Sequence, residues 1–180
     1  MVITLKDGKE LVIEEPQSVY DIALSISEGL ARKATSARID GKLADLRDNV
    51  SKNCKLEILT FDDEEGRLAY RHTTAHILAQ AVKNIFPTCK LAIGPAIASG
   101  FYYDFDFKTP LSFEDTERIE HEMEKIIKAD LPIVRSTVTK REALKKMREF
   151  GETYKVDLIN SLPPRTPITF YSQGGFVDLC

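Results

Sequence analysis

Residues 62 to 66, Asp-Asp-Glu-Glu-Gly, separate two stretches of sequence with different hydrophobic periods, and this change of period restricts the fold more than any other feature. Before the break, short apolar runs alternate with turn residues, as in a series of strands. After it, apolar residues recur every three to four positions over long stretches, as in helices. Five residues without an apolar side chain add nothing to a core, so the break is read as the boundary between domains 1–61 and 62–180. A chain of 180 residues is long enough for both.

In the first stretch, VITL and LVIE flank a turn at Lys6-Asp-Gly-Lys9, a tight hairpin in which Gly8 supplies the positive φ. SVYDIALSIS follows, with Ser18 and Asp21 as a capping pair and Val19, Ile22, Ala23 and Ile26 on one helical face. ATSARID, a turn at Gly41-Lys42 and the alternating KLEILTF then give further strands. Two strands, a helix and more strands in about 60 residues predict a β-grasp, ubiquitin-like fold.

In the second stretch, Leu68 to Phe86 is helical by period and stops at Pro87. LAIGPAIASGFYYDFDF reads as a strand, a Gly-Pro turn and a strand of alternating aromatic and acidic residues. Ser112 opens a helix whose Ile119, Met123, Ile126 and Ile127 are expected to face inward, with acids in the first turns where the helix dipole favours them. PIVRSTVT is a strand, Thr139 and Glu142 form a capping box for a helix ending near Phe150 and Gly151, and GETYKVDLINSL is a short helix. TFYSQGGFVDLC places two strands around Gly174-Gly175. The chain as a whole is therefore α+β, its second domain a mostly antiparallel sheet packed by helices.

Three function classes lose support from composition. Cys54, Cys89 and Cys180 are odd in number and widely spaced, which suggests neither a disulfide framework nor a zinc ribbon. A net charge of −3 argues against a domain that grips a nucleic-acid backbone unaided. The longest apolar runs fall far short of the roughly 20 residues that span a bilayer, and MVITLKDGKE lacks the zones of a signal peptide, so a cytoplasmic location without a membrane partner is expected.

Within RHTTAHILAQA, His72 and His76 lie about 40° apart on a helical wheel, Lys83 between them and Ala75 and Ala79 beside them. Tyr70, Ile77, Leu78, Ala81, Val82 and Ile85 form the apolar arc, with the histidines at its polar margin. The spacing suits a metal, but the glutamate of a HExxH protease is missing, with Thr73 in its place. The pair alone leaves interface packing, metal binding and acid–base chemistry open. His121, among Glu120, Glu122 and Glu124, reads as a solvated residue, Cys180 taken alone as a small buried hydrophobe, and Lys155 as a surface lysine.

Three strings in order, RHTTAHILAQAV, IGPAIASGFYYDFD, and GETYKVDLI followed by FVDLC, closely resemble the N-terminal part of bacterial threonyl-tRNA synthetases. The resemblance runs over essentially the whole chain. It implies a TGS domain over 1–61 and, over 62–180, the editing domain shared with alanyl-tRNA synthetases, which deacylates threonine tRNA mischarged with serine. The family's HxxxH pair falls on His72 and His76, and its downstream cysteine on Cys180. A further family histidine lies beyond residue 180, implying an editing domain incomplete at its C-terminal end. Lys155 and Asp178 also fall on site positions, with Gly94 and Tyr103 as pocket wall and substrate contact.

From their positions, Lys155 is expected to orient or deprotonate the attacking water, His72 to hold the ribose and relay a proton, and Asp178 to anchor the serine ammonium or hydroxyl. His76 and Cys180 would shape the pocket. No metal is expected; were there one, His72, His76 and Cys180 would hold it. ATP, magnesium and zinc are expected only for the synthetase core, C-terminal to this segment, as is a homodimer interface. The competing readings are a non-catalytic RNA- or protein-binding module and a structural zinc domain.

Overall fold

In the computed structural model, which describes residues 1–180, the first hairpin closes through Gly8 at φ +85°. It joins β1 (Val2–Leu5) to β2 (Glu10–Val12), with Ile3 opposite Leu11. β3 (Gln17–Ser18) leads into α1 (Val19–Ile26), where Ser18 Oγ accepts from Asp21 N as its sequence predicts. Val19, Ile22 and Ala23 are buried, but Ile26 is 39% exposed because Ser27 turns extended and ends the helix there.

Ser27 then caps α2 (Glu28–Lys33), a helix that the hydrophobic pattern does not announce. With Gly29 inside it and Ala31 its one buried residue, it has no apolar period to read. β4 (Ala34–Ile39), β5 (Lys42–Ala44), β6 (Asn49–Val50) and β7 (Cys54–Thr60) follow. The five-stranded sheet runs β2-β1-β7-β4-β5, with β1 and β7 parallel and its other pairs antiparallel. Ile3 and Leu56 from that central pair share a core with Val19 and Ile22 of α1, the packing of a β-grasp.

Helix α3 (Glu64–Ile85) starts inside the acidic break, four residues before the apolar period does. Asp63 accepts from Thr60 N, and Glu64 and Glu65 occupy the first turn, where the helix dipole favours acids. Gly66 is needed there, since a Cβ would come within 2.0 Å of Thr60 O. Contacts divide the chain into one unit of residues 1–72 with 96–98 and another of 73–95 with 99–180. The early turns of α3 go with the first unit: Tyr70 meets Phe61 edge to face, and Arg71 donates to Ile97 O and Ala98 O. Tyr70 is consequently 54% exposed and lies outside the apolar arc assigned to it from the sequence.

After α3 come β8 (Lys90–Leu91), β9 (Ala96–Ile97), β10 (Gly100–Phe101) and β11 (Phe105–Asp106), shorter pieces than the alternation suggests. α4 (Phe113–Ala129), β12 (Ile133–Val138), α5 (Lys140–Glu149), α6 (Thr153–Ser161), β13 (Ile168–Gln173) and β14 (Phe176–Leu179) complete the order. Both expected capping boxes form, at Ser112 with Asp115 and Thr139 with Glu142. Ile127 is 57% exposed rather than inward, because it lies about 100° around the helix from Ile126, which takes the buried position.

β12, β13 and β14 form an antiparallel sheet, and β8 pairs with β11 through Leu91 opposite Phe105. One apolar cluster joins Ala81, Val82, Cys89, Ile119 and Ile126; another joins Ala143, Met147, Ile159, Ile168 and Phe170. Each large buried side chain there stabilises the unit by about 1.5–3 kcal/mol. No helix is long and apolar enough to cross a membrane.

Candidate functional site

β14 carries Asp178, opposite Tyr171 of β13, into the second unit with only 2% of its surface exposed. A carboxylate so buried is costly unless hydrogen-bonded and paired with charge. Asp178 Oδ2 accepts from His76 Nδ1 at 2.8 Å and from Tyr103 Oη at 2.8 Å. Its Oδ1 accepts from Leu179 N at 2.8 Å and pairs with Lys155 Nζ at 2.8 Å. Lys155 Nζ donates also to Tyr103 Oη at 3.0 Å, so the phenol donates to the carboxylate and accepts from the ammonium. With four donors on two oxygens, Asp178 is saturated.

Each partner reaches the carboxylate for a local reason. Ala75 and Ala79 are buried on α3, and their small side chains let the helix come close at His76. Lys155 stands in the first turn of α6, its stem buried beside Ile159 on the same helix. Tyr103 stacks on Phe105 at 4.8 Å between ring centres. Gly94 makes room for that tyrosine, since a Cβ there would lie 2.1 Å from its ring.

The charges are arranged to favour one another. Burial alone would raise Asp178, but the hydrogen bond from His76 and the Lys155 charge override it and hold the carboxyl well below its usual range. Burial likewise works against a charged His76, while hydrogen bonds to Asp178 and Cys180 raise it to about 9. Tyr103 is pushed far up, first by burial and then by the Asp178 charge, and stays a neutral donor. At neutral pH the cluster therefore holds a carboxylate against an imidazolium, with Lys155 Nζ on the carboxylate's other oxygen.

His76, Lys155, Asp178, Tyr103 and Gly94 are thus in contact within one unit, and Cys180 hydrogen-bonds His76. His72 is half-buried one turn before His76 on α3. Read by residue type alone, Lys155 belongs on the surface; the structure reverses this, with Lys155 3% exposed. His121 is solvated as expected, on the open face of α4. As an ammonium Lys155 has donors and no acceptor, and Asp178 has no lone pair to spare.

For a metal, His76 and Cys180 bring donor atoms within 4.8 Å of each other, and His72 supplies another imidazole from the same helix. Two imidazoles and a thiolate suit zinc, and an Asp behind a ligating His is a common supporting arrangement. A metal would have to displace the second proton of an imidazolium whose pKa is about 9. Residue types did not single out Glu152, which is 5% exposed and bonded to Lys83, or Tyr171, whose ring centre is 6.2 Å from that of His76. Glu152 lies inside the GETYKV string, but an acid at a helix start is ordinarily solvated.

Residues 1–60 match the TGS domain family. The chain is 55% identical over 178 residues to a protein of Acetivibrio thermocellus named threonine–tRNA ligase, covering 99% of this chain and 28% of that protein. It is 53% identical over 180 residues to the threonine–tRNA ligase of Caldanaerobacter subterraneus subsp. tengcongensis, covering 100% and 28%, and 52% identical over 178 residues to that of Clostridium tetani, covering 99% and 28%. The chain thus spans somewhat over a quarter of the length of these relatives. Residues 1–60 belong to the TGS domain family, and the chain as a whole corresponds to the N-terminal region of threonine–tRNA ligases.

Proposed function

We propose that residues beyond the TGS domain form an aminoacyl-tRNA deacylase, which hydrolyses the ester of threonine tRNA mischarged with serine. The observation that carries this reading is the saturated Asp178, which fixes Lys155, His76 and Tyr103 in one arrangement without itself being free to bind substrate. Serine lacks one methyl of threonine, a difference that a synthetic pocket can exploit only about 10- to 200-fold. A second site that admits serine and excludes the larger side chain reverses the test.

In this mechanism the water oxygen bonds to the ester carbonyl carbon, and the bond from that carbon to the ribose oxygen breaks. Lys155 donates to the water or to the oxygen on which negative charge develops, which is electrostatic work that an ammonium can do and proton abstraction is not. His72 carries the proton from the water to the departing ribose oxygen. His76 and Cys180 line the pocket, and Asp178 acts through the groups it holds. The reaction needs no metal. Were zinc bound by His72, His76 and Cys180, it would supply Lewis-acid polarisation. The partner is the acceptor end of threonine tRNA in the cytoplasm; activation with ATP belongs to the part of the relatives that this chain does not cover.

The test is single-turnover deacylation of seryl- and threonyl-tRNA. It uses this chain, and the Acetivibrio thermocellus ligase carrying this sequence in place of its matching region. Preferential release of serine, lost in Lys155→Ala and His72→Ala, is the expected result. Binding of tRNA without release in either protein would leave a non-catalytic binding module.

A further inference from the structure

A second ion pair, with Glu152 buried and Lys83 partly exposed, lies outside the proposed mechanism. Lys83 Nζ is 2.7 Å from Glu152 Oε1, and donates also to Cys89 O at 2.8 Å and Pro87 O at 3.1 Å. Glu152 Oε2 accepts from Leu91 N at 2.8 Å. Glu152 stands at the N-cap of α6, yet its side chain makes no capping bond. The helix forgoes its cap, and the carboxylate instead ties together three segments. Lys83 is on α3 two turns beyond His76; Glu152 is three residues before Lys155; Leu91 pairs with Phe105, two residues beyond Tyr103.

We infer that Lys83 and Glu152 are positioning residues that hold Lys155 and Tyr103 against Asp178. The catalytic consequence rests on the deacylase reading, whereas the geometry does not. A largely desolvated pair of this kind is a weak source of net stability, because desolvation offsets much of its Coulomb attraction. It is a strong source of register, because a carboxylate with one oxygen on Lys83 and the other on Leu91 N is held at two points by two different segments. α6 is thereby fixed in rotation one turn before the lysine, and displacements of about 1 Å at reacting groups cost on the order of 100-fold in rate.

The test uses the whole chain and reads Lys155 directly, by its acylation with N-hydroxysuccinimidyl acetate followed by peptide mass spectrometry, beside single-turnover release of serine. Lys83→Met and Glu152→Gln are each expected to speed acylation of Lys155 about tenfold and to slow release about tenfold with KM unchanged. The double variant should be no worse than the more affected single one, and Lys83→Arg should restore protection. Ala143→Gly, which loosens α5 in the same unit, should change neither readout. Undiminished protection of Lys155 in both Lys83→Met and Glu152→Gln overturns the inference. Protection lost as expected, in a protein whose wild type releases no serine, upholds it and removes the deacylase reading.

Discussion

Replacing Asp178 by Asn keeps the shape of the side chain and removes its charge, which isolates what the carboxylate does. In the wild type Lys155 Nζ and His76 Nδ1 both lie 2.8 Å from its oxygens. The amide still accepts from Leu179 N, but the Lys155 ammonium, 4% exposed, loses its counter-charge. Breaking a buried pair from one side costs about 3–5 kcal/mol. The rise of His76 from 6.5 to about 9 is worth about 3 kcal/mol by itself. The two belong to one network and do not add, so the expected loss stays at about 3–5 kcal/mol. Hydrogen exchange of the β13 and β14 amides at pH 7 reads the second unit separately from the first. His76, followed by NMR, should titrate near 9 in the wild type and lower in Asp178→Asn. A loss below about 1 kcal/mol would refute the reasoning, since it would mean that Lys155 finds adequate solvation without the carboxylate.

The other predictions concern pH, space and metal. The His76 contribution to stability is complete below about 6.5 and disappears as pH rises through about 9, while that of Asp178 is present above the ordinary carboxylate value near 3.8 and disappears as pH falls below it; urea unfolding of the second unit across pH 3 to 10 should show both declines, and a flat alkaline side would contradict the His76 assignment. Gly94→Ala puts a methyl 2.1 Å from the Tyr103 ring, so a loss of about 1–3 kcal/mol and impaired serine release are expected; wild-type values for both would place the ring elsewhere. Exhaustive chelation should leave serine release unchanged, with less than stoichiometric zinc by elemental analysis; release restored only by added zinc would assign His72, His76 and Cys180 to a metal.

Much of the fold is legible because its causes are local. Ser18, Ser112 and Thr139 cap the helices expected of them, and the turns at Gly8 and Gly174 adopt the positive φ that glycine tolerates. Reading failed where an element is specified by contacts rather than period. α2 has a single buried residue, and α3 begins among acids that look like a linker until Gly66 is seen against Thr60. At the site, the family strings single out His76, Lys155, Asp178 and Tyr103, but residue type alone misplaces Lys155 and passes over Glu152.

By itself the sequence determined most of the alternation of strands and helices, the caps at Ser18, Ser112 and Thr139, and which strings carry family likeness, all of which depend on neighbours within a few residues. Only the tertiary structure decided what those residues do. His76 and Asp178 are 102 residues apart, Tyr103 and Asp178 are 75, and Tyr103 and Lys155 are 52. No local pattern encodes that His76, Tyr103 and Lys155 share the one buried carboxylate of Asp178, because the cost of burying the charge is met only when all the donors arrive together. That meeting makes Asp178 a support for its neighbours instead of a free anchor, and Lys155 a buried donor instead of a surface lysine.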